Sequence, residues 1–146
     1  MTDTVFDPDN PVHAKALGML ERDLIAWITT SGSDGSPRAV PVWFLWHDDR
    51  MTILSEPGSH KVGHIRRDPR MLVHLHAGGP TGDDVVVLRG TASVTPDGAA
   101  AFIDRFREPY TAKYARSIEA FGIPAEALAA KYSTAIEFRP EHLLAW

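Results

Sequence analysis

Residues 55–70, "SEPGSHKVGHIRRDPR", carry the side chains of this sequence whose types and spacing best suit chemistry. Pro57 and Gly58 make a turn, and a short helix is expected from about Ser59 to Arg67, stopped by Asp68-Pro69. Ser59 is a good N-cap, because its hydroxyl can accept a hydrogen bond from a free backbone N–H of the first turn. His60 and Lys61 then stand where the helix dipole favours Asp or Glu. Between Ser59 and Arg70, the cations Lys61, Arg66, Arg67 and Arg70 face the single acid Asp68, in a chain of net charge −4. Two readings account for this. A phosphate on the helix start would take hydrogen bonds from Ser59 and backbone N–H groups and neutralise Lys61. Alternatively, Lys61 points into solvent from an ordinary surface helix.

Pro41 interrupts "RAVPVWFLW". Proline cannot donate to a strand ladder, so it marks an edge or an irregularity. The backbone of Val40, Val42 and Trp43 is then free to meet a flat heteroaromatic ring, although an edge strand packed on the core explains Pro41 without a ligand. His74 and His76 sit at i and i+2 on one strand face, a spacing that chelates a metal if His60, His64 or Asp83 completes the set. "AGGPTGDD" lacks the Glu that a cupin-like site would add, and a barrel-facing or interface pair of histidines is the competing reading.

Other chemistries find no support. The chain has no cysteine, which excludes disulfides, thiolate metal sites and thiol nucleophiles. There is no Walker phosphate loop and no Gly-x-Ser-x-Gly elbow. Trp27, Trp43, Trp46 and Trp146 do not make a stacking platform for single strands, because Trp43 and Trp46 fall on opposite faces of their strand and the net charge is negative. "MTDTVFDPDNP" is acidic and unlike a signal peptide, and no run approaches the ~18 apolar residues of a membrane span, so a cytoplasmic protein is expected.

The elements that must position these residues are mostly strands. With 146 residues, 44% of them apolar, the chain suits one domain with a real core. Residues 1–10 read as a loose tail, and 11–146 as a single domain opened by a helix with Asn10 as N-cap and Pro11 at its first position. Strands are expected at 24–31, 37–48, 50–55, 71–77, 85–95 and the C-terminal "STAIEFRPEHLLAW", with turns at "GSDG" and Asp48-Asp49. Residues 96–132 are alanine-rich with helical spacing. This order implies an α+β, mainly β fold, a six-stranded antiparallel barrel with peripheral helices. "VWFLW" and "VVVL" are apolar on both faces, so the C-terminal helices are expected to cover one and a second subunit the other.

Taken together, "LIAWITTSGSDGSPRAVPVWFLWHDDRMTILSEPGSHKVGHIRRDPRMLVHL" and "DDVVVLRGTASV" resemble the split β-barrel flavin/deazaflavin oxidoreductases. These are the pyridoxamine 5′-phosphate oxidase-like proteins, and the likeness is strongest to their actinobacterial, coenzyme F420-dependent branch. The resemblance implies a homodimer with two cofactor sites at the subunit interface. It lays the cofactor ring along Val40, Pro41, Val42 and Trp43, and the ribityl chain and phosphate on Ser55, Ser59, His60 and Lys61. Trp146 matches a C-terminal aromatic that reaches the ring. The implied activity is hydride transfer between F420 and a small conjugated or quinone-like substrate. FMN is the alternative cofactor, and a non-catalytic cofactor or tetrapyrrole carrier the alternative role. The substrate-phosphate residues of a true pyridoxamine-phosphate oxidase are missing.

Overall fold

The computed structural model describes residues 4–146. Helix α1 (Pro11–Arg22) leads into β1 (Ala26–Ser31), β2 (Pro37–Val42), β3 (Leu45–His47) and β4 (Arg50–Ser55). Helix α2 (His60–Arg67) separates β4 from β5 (Arg70–Leu75) and β6 (Val86–Thr95). Helices α3 (Ala99–Lys113), α4 (Ala115–Phe121) and α5 (Ala125–Lys131) precede the last strand, β7 (Thr134–Ala145). All strand pairs are antiparallel, in the order β2-β1-β5-β6-β7-β4-β3.

The two edge strands, β2 and β3, are consecutive in the chain. Three Cα–Cα steps join Val42 to Leu45, a reach of at most about 11 Å. Six strand spacings in a flat sheet would hold those edges roughly 29 Å apart. The sheet must therefore curl until its edges nearly meet, which makes a split barrel. This also corrects the expected strand count: 37–48 is two strands, not one, so the sheet has seven. The turns fall where expected, Asp48 and Asp49 both at positive φ (50° and 56°), as a two-residue hairpin between right-twisted strands requires.

Two apolar layers follow from this closure. Inside the barrel, Ile28, Met51, Val73, Leu88, Ile136 and Phe138 meet Met19 and Leu20 of α1 and Val62 and Ile65 of α2. Outside β3, Leu45 packs under Phe102, Ile103, Tyr110 and Tyr114 of the α3 region. Trp43 joins this outer layer and Trp46 the inner one, so the two do lie on opposite sides. Pro109 lies inside α3, and the helix kinks at Phe106 (φ −116°, ψ 20°), because proline cannot donate to the preceding turn and its ring crowds it. Phe6 is buried edge-on to Trp46, so the segment just before α1 is tied to the core rather than loose. Residues 1–3 of the expected tail lie outside the described residues.

The crossing residue Phe44 is fully buried yet sits outside both strands, so its backbone groups have no ladder partners. Tyr114, also fully buried, replaces them: the Phe44 N–H donates to its hydroxyl at 2.8 Å, and the hydroxyl lies 2.7 Å from the Leu24 carbonyl and 3.0 Å from that of Phe44. The Lys113 ammonium donates to the Phe44 carbonyl at 2.8 Å and lies over the Phe44 ring. Burial pushes Lys113 down to about 8, opposed by Asp23. Tyr114→Phe leaves the Phe44 N–H buried without an acceptor and is expected to cost about 1–3 kcal/mol, measured by urea denaturation with an unchanged slope.

Candidate functional site

Ser55 ends β4, and the Glu56-Pro57-Gly58 turn is closed by Ser59 N–H donating to the Glu56 carbonyl at 3.2 Å. Val62 and Ile65 then anchor α2 in the barrel. Helical geometry turns the opposite side, with His60, Lys61 and His64, away from the core. Ser59 does hold the N-cap position, but its hydroxyl makes no capping bond. It lies 2.7 Å from the Ser55 hydroxyl, which in turn donates to the Glu56 carbonyl at 3.0 Å. The two serines thus brace the turn, and of Ser59 only the backbone carbonyl meets the first turn of α2, accepting from the Val62 N–H at 3.2 Å.

Lys61 sits between two cavities and lines both. The first, about 420 Å³, is bounded by Pro41, Val42 and Trp43 on the sheet side and by Tyr110, Phe121, Leu128 and Tyr132 on the helical side. Lys61 is its one charged lining residue. The size and apolar walls suit a small-molecule ligand with a flat ring. Trp43 is held for this: its ring stacks on Tyr114 at 4.6 Å with 7° between planes. Val40 faces the second cavity, which His60, Lys61 and His64 also line. β2 hydrogen-bonds only to β1, so part of its backbone along both cavities faces away from the ladder.

Burial pushes the Lys61 ammonium below its ordinary range, against the opposing pull of Glu56. Glu56 itself is 3.8 Å from Lys131. Among the described residues Lys61 forms no ion pair. Tyr110, lining the first cavity, is pushed up to about 12 by burial and stays a neutral phenol.

Of the nine residues expected to hold a cofactor, the structure brings Val40, Pro41, Val42, Trp43, His60 and Lys61 around these two cavities. Ser55 and Ser59 stand behind them as the turn brace. Trp146 lies four strand positions from β2, exchanging backbone hydrogen bonds with Val85, and lines neither cavity. Arg70 is paired with Asp68 at 2.7 Å and Arg67 reaches the Ser31 carbonyl, so these two arginines are engaged elsewhere and line neither cavity beside Lys61. His76 accepts from the Trp27 indole at 3.3 Å, and His74 is bonded to the Leu75 carbonyl. No three metal-ligating side chains converge among the described residues.

Sequence reasoning missed Tyr110, Phe121, Leu128 and Tyr132, because the helices of 99–131 offered only composition. Aromatics recurring in that alanine-rich segment were the available signal. It also missed Arg38 and weighed His64 only as a metal ligand; both line the second cavity.

This curled sheet with its edge-strand slot is the split-barrel class of fold. The profile of the pyridoxamine 5′-phosphate oxidase family matches residues 12–146, and the chain belongs to that family. None of the curated proteins matches it. Among solved structures, an F420 reductase superimposes with a TM-score of 0.65 at 22% identity, covering 87% of this chain and 94% of its own. A conserved hypothetical protein from Mycobacterium tuberculosis gives 0.70 at 20%, covering 100% and 88%. A putative pyridoxamine 5′-phosphate oxidase from Listeria innocua gives 0.64 at 21%, covering 90% and 95%. At these identities the likeness is one of fold. Among the described residues no helix is long and apolar enough to cross a membrane.

A half-buried, unpaired cation lowers stability while no anion is bound. Lys61→Met is therefore expected to be at least as stable as wild type at neutral pH without ligand, while losing stabilisation by added phosphate. Thermal denaturation with and without phosphate reads both effects.

Proposed function

We propose that the protein is an oxidoreductase that binds coenzyme F420 in preference to FMN and moves a hydride to or from a small conjugated or quinone-like substrate. The observation that carries this reading is Lys61, an unpaired and partly buried cation at the mouth of an aromatic slot. A phosphorylated tricyclic ligand matches that pair of features: ring against Pro41, Val42 and Trp43, phosphate on Lys61 and the first turn of α2. When bound, the cofactor supplies the hydride chemistry. The protein's part is to hold the ring edge against the β2 backbone, keep water from it with Trp43 and Tyr110, and neutralise the phosphate. The motif set of residues 24–95, which resembles the actinobacterial F420-using branch, supports this reading, and the proposal includes a cytoplasmic location.

The proposal includes a homodimer. Register aligns Pro41, Trp27, His74, Val87 and Leu144 in one row across five strands, on the face opposite the barrel core. Leu144 is 56% exposed and Trp146 52%. The row runs directly to Pro41 at the slot. The second copy would complete the site there. Within "VVVL", Val86 and Leu88 are buried inside the barrel and Val87 is the residue that faces out.

Titration of the purified protein should give tighter binding of F420 than of FMN at low salt, with the preference shrinking as salt rises. Lys61→Met should weaken F420 binding by about 1.5–3 kcal/mol, the scale of a charge-assisted hydrogen bond. Equal or tighter FMN binding at low salt would overturn the cofactor choice. Independently, light scattering should find a dimer for wild type and a monomer for Val87→Asp; a wild-type monomer at micromolar concentration would remove the shared-site model.

A further inference from the structure

Every polar side chain that lines the first cavity can donate a hydrogen bond: Trp43, Lys61, Tyr110 and Tyr132. No acid, amide or histidine is among the lining residues. A molecule that fills this slot must therefore bring the acceptors. Trp43, Lys61 and Tyr132 are only partly buried, whereas Tyr110 is 4% exposed. Its hydroxyl makes no hydrogen bond among the described residues, and burial is the single influence acting on the phenol. Among those residues no fully enclosed side-chain nitrogen or oxygen lacks a partner. The Tyr110 oxygen has none, so it keeps a small exposure, and the space it opens to is the slot that the residue lines.

The next tyrosine on the helix gives the contrast. Tyr114, one turn later, has its hydroxyl within hydrogen-bond distance of three backbone groups of Phe44 and Leu24. Tyr110 is held between Tyr114 and Phe102, with ring centroids 5.2 Å and 5.8 Å away and the Phe102 contact edge-on at 88°. Its ring cannot swing out to water without opening that layer. Nearly all buried side-chain hydroxyls in folded proteins have a partner, because an unsatisfied one loses its bonds to water without replacement. A fixed, unpaired donor suits an acceptor that arrives with a ligand, since it needs no reorientation on binding.

We propose that the Tyr110 hydroxyl donates a hydrogen bond to a ring carbonyl oxygen of the molecule in the slot, and so selects which rings are accepted. The proposal deepens the reading of the slot as a ring site and rests on it for a flat ligand seated against Pro41, Val42 and Trp43. A neutral carbonyl fits better than a charged oxygen here. Lys61 supplies the only charge of the lining, whereas Tyr110 shares the helical wall with Phe121 and Leu128, where desolvating an anion costs more. A carbonyl of the cofactor ring and one of a quinone-like substrate offer the same acceptor, and the test separates them.

Tyr110→Phe removes the oxygen alone. Because that oxygen has no partner in the chain, thermal denaturation without ligand should give a midpoint equal to or above that of wild type, unlike Tyr114→Phe. Equilibrium titrations of both proteins then use F420, FMN, dimethylnaphthoquinone and dimethylnaphthalene, the last matching the quinone in its rings but lacking carbonyls. The variant should bind at least one carbonyl-bearing ligand about 2- to 10-fold more weakly, the range of one neutral hydrogen bond, and dimethylnaphthalene as wild type does. A loss for F420 or FMN assigns the contact to the cofactor ring, and a loss for the quinone alone assigns it to the substrate; either supports the proposal. Undiminished binding of every carbonyl ligand overturns it while leaving the cofactor reading intact if F420 binds. An equal loss for dimethylnaphthalene, binding of no carbonyl ligand by wild type, or a fall in stability like that of Tyr114→Phe also overturns it. If neither F420 nor FMN binds while the variant still loses affinity for the quinone, the cofactor reading fails and the Tyr110 contact stands.

Discussion

The short crossing at Trp43-Phe44 is the constraint on which the rest of this structure depends. Because the chain passes from one edge of the sheet to the other in two residues, the sheet has to curl, and the curl creates an interior that α1 and α2 close. It also leaves a backbone stretch with no strand to bond. Tyr114 and Lys113 meet that need from a helix some seventy residues later. The helical segment is therefore bound to the barrel by polar contacts at the seam as well as by the apolar layer around Leu45.

The same crossing produces the site. Trp43 is turned outward onto Tyr114, Pro41 and Val42 run beside it, and the helices that satisfy Phe44 form the opposite wall of the slot. One side of the cavity is thus barrel and the other is helix. The kink at Phe106 and the helices beyond it set the shape of that second wall. Helical changes that preserve the Tyr114 anchor alter the slot's shape while leaving the closure of the barrel intact.

Electrostatically, the start of α2 is a compromise between folding and binding. Val62 and Ile65 insert into the core, which fixes the direction of Lys61, His60 and His64. The basic side chains are consequently gathered where water alone must solvate them, and burial lowers both Lys61 and His64. Arg70 and Arg38 lie within 4 Å of acids of their own; Lys61 forms no ion pair among the described residues, and the Glu56 that acts on it lies 3.8 Å from Lys131. The difference separates cations that serve local structure from the one on which the proposed phosphate site rests.

Much of this was legible in the sequence. The turn residues at 32–35 and 48–49, the β-rich runs and the capped starts of α1 and α2 are local signals, and they located the elements. Pro41 and Lys61 stood out because each violates a local preference, and both line the slot. Ser59 was legible as a cap position but not as a partner of Ser55, since two hydroxyls competing for one turn are resolved only in space. The division of 37–48 into two strands was hidden, because an apolar run that changes edges reads the same as one that does not. The inward direction of Val86 and Leu88 was equally hidden, since an unbroken valine run gives no alternation from which to read a face. Tyr110, Tyr132, Arg38 and His64 come together from β2, α2 and the helices before β7. Their meeting depends on how far the sheet curls, a distance set by the closure at Phe44 and by no residue pattern along the chain.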